Sequence, residues 1–456
     1  MRITTYLKNL LPAILVTFLL TSCSSESAKN ESPGFVNHGV LKVDGNGRYF
    51  VFEDGTPYIP TGLNHFLIYR KGAAIDSMMR IWSQHGINYL RIWAGLGADP
   101  ETVVGQFDEK QMQALDSVIY YCTKYGIYLN ISFWNENCIR EQKGNWGWNG
   151  KDQIYNREHS ESGTTTNADD LRDTIHTASW EAMKNRYRYF VERWKDEPII
   201  IMWDLVNDSK KTEAWKAGMY DYIKKLDGSG RIVTFQYNTG IDPKGEMDCG
   251  SVRVYGYNPK GNDPETMMDT LAYRIKQALT HGDPVYVGEG GMDYPDATDY
   301  EFERGFLHFL WAPLAVGAAG NLHPWVSPNT WPELTEQKLK WMSGFSEFCS
   351  RIKWNEFNSK NINDKIRTDN ENVRVYACAD GKEILMYLMN DDPDNKFQPL
   401  KVSLNISAEM EQGPYRIEWI DIRTGKTISS KKLKSLNRVI ESPEFKDGIF
   451  GHIRKI

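Results

Sequence analysis

Residues 199–208 read Ile-Ile-Ile-Met-Trp-Asp-Leu-Val-Asn-Asp, an apolar run that closes on Asn207 and Asp208. A short apolar run with polar groups at its end reads as a buried strand, 199–206, whose C-terminal end carries chemistry. Amphipathic helical patterns flank it at 179–194 and 213–226, and the alternation continues in both directions. β-Rich runs recur at 58–62, 89–93, 128–133, 232–236, 252–257 and 285–288, with a weaker one at 318–322. Helical patterns lie between them at 73–85, 109–125, 263–281 and 299–314. Eight strands separated by helices make an α/β chain with the count of a (β/α)8 TIM barrel. The competing open, doubly wound sheet wants a Gly-rich phosphate turn after its first strand, and Thr61-Gly62-Leu63-Asn64-His65 is not one.

Outside this region the pattern changes. Runs 40–43 and 49–52 form a hairpin around Asp44-Gly45-Asn46-Gly47, so the barrel domain is read as 36–354 with an N-terminal β-hairpin. A helix over 334–352 closes the barrel, and the polar segment 355–365 reads as a linker. From 366 to 456 short alternating runs separated by Asp-Gly and Thr-Gly turns read as a C-terminal β-sandwich domain. The cluster Asp391-Asp392-Pro393-Asp394 reads as a solvated turn rather than a calcium site.

Composition narrows the function classes. Of 456 residues 41% are hydrophobic and 25% charged, which excludes a disordered or collagen-like chain. Lys and Arg number 54 against 60 Asp and Glu, so there is no basic footprint and no nucleic-acid partner is expected. The 15 Trp, 24 Tyr and 18 Phe would suit stacking on the flat C–H faces of sugars; a large core would hold them equally well. The first 22 residues read as a signal peptide: Arg2 and Lys8 precede an apolar run, 10–20, too short to span a bilayer. Leu20-Thr21-Ser22-Cys23 resembles a bacterial lipoprotein box, which implies a lipid on Cys23, a polar tether over 23–35 and a cell-envelope location. Ser24 resembles the sorting pattern for the outer membrane. The competing reading is an ordinary secretory signal with an incidental cysteine. The remaining cysteines are scattered without CxxC, and His159, His176 and His308 form no close pair; no metal and no cofactor are assigned.

Barrel chemistry sits at the C-terminal strand ends. The fourth strand ends at Asp208 and the seventh at Gly288-Glu289-Gly290, one carboxylate on each side of the mouth. Two such groups can protonate a glycosidic oxygen and attack the anomeric carbon, at a separation of roughly 5–5.5 Å in a retaining enzyme. Asp208 would also serve as a helix N-cap; Glu289 between glycines has no such structural explanation. Asn64, His65, Trp93 and Trp134 follow the first three strands and are candidate sugar contacts. Glu136 is a rival proton donor, and Trp146 and Trp148 lie in the long insertion after the third strand.

At these residues the chain resembles glycoside hydrolase clan A, and within it the cellulase- and mannanase-like family 5. Asn207-Asp208 resembles the family's strand-four Asn-Glu, and Gly288-Glu289-Gly290 its strand-seven Glu. Gly86-Ile87-Asn88-Tyr89-Leu90-Arg91 is similar to the strand-two signature, Tyr255-Gly256-Tyr257 to the strand-six His-x-Tyr, and Trp325 to the Trp flooring the cleavage subsite. The resemblance implies a retaining β-glycosidase acting on an oligo- or polysaccharide. In it Glu289 is the nucleophile, Asp208 the acid/base, and Arg91 and Tyr257 donate to Glu289. Asn207 would hold the sugar 2-hydroxyl. The departures are Asp208 where the family has Glu, as in apiosidase-like hydrolases, and Tyr255 where it has His. The alternative is a barrel silenced by the Asp that binds glycan as a surface lipoprotein.

Overall fold

Leu41–Val43 (β1), Phe50–Phe52 (β2) and Pro57–Tyr58 (β3) pair antiparallel before the barrel begins. Asp44 ties their first turn, its Oδ1 accepting from the backbone N–H of Arg48 at 2.8 Å and of Tyr49 at 3.3 Å. The computed structural model describes residues 34–66, 68–95, 100–135, 175, 178–207, 211–236, 247–255, 264–291, 299–325, 334–391, 398–436 and 439–456. Cys23, Glu136, Trp146, Trp148, Asp208, Tyr257 and Asp392-Pro393-Asp394 lie outside the described residues, as does the Trp325 side chain.

The first barrel strand is Thr61–Asn64 (β4) rather than 58–62. Pro60 has no N–H with which to extend a ladder, so Tyr58 ends the outer sheet and the barrel strand starts beyond the proline. Then follow Ala74–Gln84 (α1), Tyr89–Trp93 (β5), the small ribbon Glu101–Val103 (β6) and Gln106–Phe107 (β7), Glu109–Tyr125 (α2) and Tyr128–Ser132 (β8). Asp108 caps α2, accepting from the Gln111 N–H at 3.0 Å. Ala178–Trp194 (α3), Ile200–Asp204 (β9), Glu213–Asp227 (α4) and Ile232–Thr234 (β10) continue the alternation. Gly250–Tyr255 (β11), Pro264–Ala278 (α5), Val285–Gly291 (β12), Asp299–Val316 (α6), Asn321–Trp325 (β13) and Glu336–Cys349 (α7) complete it. The eighth strand starts three residues later than the sequence suggests. The small apolar run 315–320 carries no period that separates the end of a helix from the start of a strand.

The eight barrel strands are parallel and neighbour one another in chain order, with β13 beside β4. At the seam between β10 and β11 side chains join the strands. Asp248 Oδ2 accepts from the Val233 N–H at 2.8 Å, and Ser251 Oγ donates to Gln236 Oε1 at 2.6 Å. Inside, Tyr89, Asn130, Met202 and Tyr286 fill one layer: the Tyr89 hydroxyl reaches Met202 Sδ at 3.3 Å and the Asn130 amide reaches the Tyr286 hydroxyl at 3.3 Å. The interior is therefore a packed core, and function is confined to the next layer toward the mouth.

The C-terminal region is antiparallel. Lys360–Asn361 (β14), Ile366–Thr368 (β15), Val373–Ala379 (β16), Glu383–Asn390 (β17), Ser403–Ile406 (β18), Tyr415–Ile420 (β19), Thr427–Leu433 (β20), Ile440–Glu441 (β21) and Gly448–Lys455 (β22) form two sheets. Their orders are β14-β16-β17-β22-β19-β20 and β15-β18-β21, with Ile384, Met386, Leu404, Ile406, Ile417 and Ile453 buried between them. Segment 355–365 is not a free linker. Lys360 and Asn361 pair with Ala379 and Cys378, and Asn363 Oδ1 accepts from the Ala377 N–H at 2.7 Å. Its asparagines serve turns instead of solvent.

The other face of the six-stranded sheet packs on the barrel helices, placing Tyr376, Leu385, Tyr387, Met389 and Phe450 in the barrel's own core cluster. Trp311 of α6 donates to the Ile422 carbonyl at 2.9 Å and its ring lies 5.0 Å from Phe450. A Cβ on Gly344 of α7 would stand 2.4 Å from the Thr424 carbonyl carbon, so only glycine admits this helix-to-turn contact.

Candidate active site

Glu289 reaches the barrel interior through an irregularity in its strand. Alternation from Tyr286, which faces inward, would put Glu289 on the outer face. The β11–β12 register passes from Val252↔Val287 to Arg253↔Glu289, so Gly288 is an extra residue and the carboxylate is re-aimed. Gly288 is obligatory there, because a Cβ would lie 2.1 Å from Ser251 Oγ and 2.8 Å from Gln236 Oε1. Glu289 is 3% exposed. Gln236 Nε2 donates to its Oε2 at 3.2 Å, and Arg253 Nη1 and Arg91 Nη1 lie 3.8 and 4.0 Å from the same oxygen. Among the described residues these partners all gather on Oε2.

Arg91 is the hub of the mouth. Its Nε donates to Asp204 Oδ2 at 2.9 Å, and its Nη2 makes a second, shorter contact to the same oxygen. Nη2 also donates to Asn207 Oδ1 at 2.7 Å, and Nη1 to Asn64 Oδ1 at 3.2 Å. Arg91 and Asp204 are buried. Burial alone would lower the guanidinium's pKa, but Asp204 and Glu289 outweigh it and raise it. Burial also raises the Asp204 carboxyl, with Arg91 pulling against it. Two N–H groups on one carboxylate oxygen mark the pair as ionised. The expectation that Arg91 donates to Glu289 is thus corrected: at 4.0 Å it is a neighbouring charge, and among the described residues the donor is the Gln236 amide. Asp204 is nearer and takes the hydrogen bonds.

This network orients the amides. With Asn207 Oδ1 on Arg91, its buried Nδ2 has no partner among the described residues and is available to a hydroxyl. Asn64 is held from both ends, its Nδ2 donating to the Gly288 carbonyl at 3.0 Å. Trp93 is buried, stacked on Phe66 with centroids 5.0 Å apart, and the Arg91 guanidinium carbon stands 5.9 Å from its ring. Trp134 is buried, its carbonyl accepting from the Asn207 N–H at 2.8 Å and its ring 5.6 Å from Lys211 Nζ. Buried Arg186 braces the loops that carry both tryptophans, donating to the Ala94 carbonyl at 2.8 Å, the Phe133 carbonyl at 3.2 Å and Glu101 Oε2 at 2.8 Å.

His65 does not join the cluster. Asn64 points inward, so the next side chain turns outward, where its ring lies 6.1 Å from Trp82 of α1. Burial pushes its pKa down to about 3, so it stays neutral. Asp208, Tyr257 and the Trp325 ring lie outside the described residues. Sequence reasoning missed Asp204, Gln236, Ser251 and Arg253. Their common signal is a polar residue within or ending an apolar barrel strand, which can be buried only if paired. Among the described residues no group of His, Cys, Asp or Glu is placed to hold a metal ion.

An eight-stranded parallel barrel with an inward glutamate on its seventh strand and an amide set by arginine on its fourth has the fold of the glycoside-hydrolase TIM barrels. The sequence model "Glycosyl hydrolases family 2, TIM barrel domain" matches residues 118–283. Mannan endo-1,4-beta-mannosidase 4 of Oryza sativa subsp. japonica is 28% identical over 215 residues, covering 42% of this chain and 44% of that protein. Mannan endo-1,4-beta-mannosidase 5 of Solanum lycopersicum is 27% identical over 253 residues, 49% of this chain and 57% of that protein. The chain spans about half the length of the curated relatives it matches. A glycoside hydrolase family 5 structure from Bacteroides vulgatus superposes with a TM-score of 0.65 at 15% identity, over 93% of this chain and 96% of that one. The family 5 mannosidase of Rhizomucor miehei gives 0.56 at 15% identity, over 70% and 99%. In fold the barrel is that of the glycoside-hydrolase structures on which it superposes.

Proposed function

We propose that the chain is a retaining β-glycosidase acting on a β-linked mannan-type glycan, with Glu289 as nucleophile and Asp208 as acid/base. The observation that carries this reading is Glu289: buried at the mouth, braced on one oxygen by Gln236, Arg253 and Arg91, and re-aimed inward at Gly288. Glu289 attacks the anomeric carbon while Asp208 gives its proton to the leaving oxygen; water, deprotonated by Asp208, then releases the sugar. The Asn207 amide, fixed by Arg91, donates to the 2-hydroxyl, a contact that strengthens as positive charge develops on the ring. The mannan class rests on the names of the curated relatives. The proposal includes a lipid on Cys23 that holds the enzyme in the bacterial envelope at the outer membrane.

The test is a panel of β-mannan, galactomannan, cellulose, xylan and aryl glycosides, offered to the unaltered chain and to Glu289→Gln. Mannan cleavage by the first and loss on every substrate by the second is the expected result. The Asp at 208 favours a second reading, a glycan-binding barrel. Mannan binding without release by either protein would support that reading.

A further inference from the structure

The strand-four carboxylate Asp204 touches the same guanidinium that faces the nucleophile. Arg91 stands between two buried acids and is not shared equally: two of its N–H groups sit on Asp204 Oδ2, while Glu289 Oε2 is 4.0 Å away. An Arg placed directly on Glu289 would stabilise the carboxylate and make it a poorer nucleophile. We propose that Asp204 is a positioning residue for this reaction: it holds the Arg91 guanidinium on the fourth strand and so limits how strongly Arg91 pairs with Glu289. The inference rests on the reading of Glu289 as nucleophile.

The geometry gives the arrangement two consequences. Because Asp204 takes Nε and part of Nη2, the guanidinium plane is fixed, and Nη2 and Nη1 then reach Asn207 and Asn64. Among the described residues, the charge on Glu289 is balanced by a neutral amide at hydrogen-bond distance and two arginines beyond it. The charged and titratable groups facing the pair, among the described residues, are Arg91 of β5, Arg253 of β11, Tyr286 of β12, Tyr187 of α3 and Cys249 before β11. Burial pushes the two tyrosines and the cysteine up, so they remain neutral. Among the described residues, the two arginines and Asp204 are therefore the charged groups that act on Glu289.

Asp204→Asn keeps the shape and removes the charge. Both effects then act in one direction: a negative neighbour is lost and Arg91 is freed to close on Glu289. The acidic limb of the kcat/KM–pH profile, measured on an aryl β-mannoside, is expected to fall by on the order of one pH unit. The 13C signal of the Glu289 carboxyl, assigned by its absence in Glu289→Gln, is expected to titrate lower by the same amount. Loss of the Asp204 charge alone also lowers both, so the shift is compared with the one Asp204→Asn produces in the Arg91→Met background, where no Arg91 guanidinium can move; equal shifts, or an unmoved limb and titration, overturn the proposal. If Asp204→Asn does not fold, the paired change Asp204→Asn with Arg91→Met leaves no unpaired buried charge. There the Glu289 titration is expected to rise, because the nearer charge removed is the cation; a fall or no change overturns the proposal. The carbon signal reads Glu289 whatever the chain hydrolyses. Inactivity on every glycan therefore counts against the proposed function, and the titration still decides the role of Asp204.

Discussion

At the scale of single residues, the mouth is organised by polar groups that each have one available orientation. Ser251 Oγ donates to Gln236 Oε1, so the Gln236 amide can present only its N–H groups to Glu289. The bond aims the carboxylate rather than activating it, and misplacing a reacting group costs on the order of 100-fold in rate. Gln236→Leu keeps the bulk and removes the donor that holds Glu289 in place, so kcat on mannan should fall by on the order of 10- to 100-fold. KM should change little, since Gln236 bonds Glu289 and, in the proposed reading, makes no contact with the sugar. Steady-state kinetics check this; an unchanged kcat would mean that Arg253 and Arg91 hold Glu289 unaided.

At the scale of elements, the alternation of strands and helices was legible because buried strands and amphipathic helices differ in period and length. The helix at Glu109–Tyr125 coincides with its sequence pattern, with Asp108 as cap. Boundaries failed where the period vanishes, at the small apolar run before β13, or where a proline divides one apolar run between two sheets, at Pro60. The segment 355–365 was misread because asparagine marks a solvated linker and a hydrogen-bonded turn alike. The site was half legible. Glu289, Asn207, Asn64, Trp93, Trp134 and Arg91 could be found from strand ends and from the family resemblance. Asp204, Gln236 and Arg253 could not, because their roles depend on which face of a strand they take. One extra residue at Gly288 decides that face for Glu289, and no periodicity announces it.

At the scale of the molecule, the β-sandwich is docked on the barrel's flank through α6 and α7, where Trp311 and Phe348 meet Phe450, each 5.0 Å away centroid to centroid. The contact is buried and joins apolar packing to hydrogen bonds such as His308 Nδ1 with the Tyr387 hydroxyl at 2.6 Å, so the two parts are built to move as one. The proposed anchor lies at the other end of the chain. Cys23→Ala should leave mannan turnover intact and shift the protein from the membrane to the soluble fraction, because a lipid there would be the attachment. Fractionation followed by immunoblotting checks this, and retention in the membrane fraction would place attachment on another surface.

The central claim is that Glu289 forms the covalent bond to the sugar. A 2-deoxy-2-fluoro-β-mannosyl fluoride slows both steps but slows release more, so the glycosyl-enzyme should accumulate. Intact mass followed by peptide mapping should find one fluoromannosyl group per chain, on the peptide containing Glu289, and none on Glu289→Gln. A chain that cleaves mannan yet carries the sugar on a different carboxylate would contradict the account.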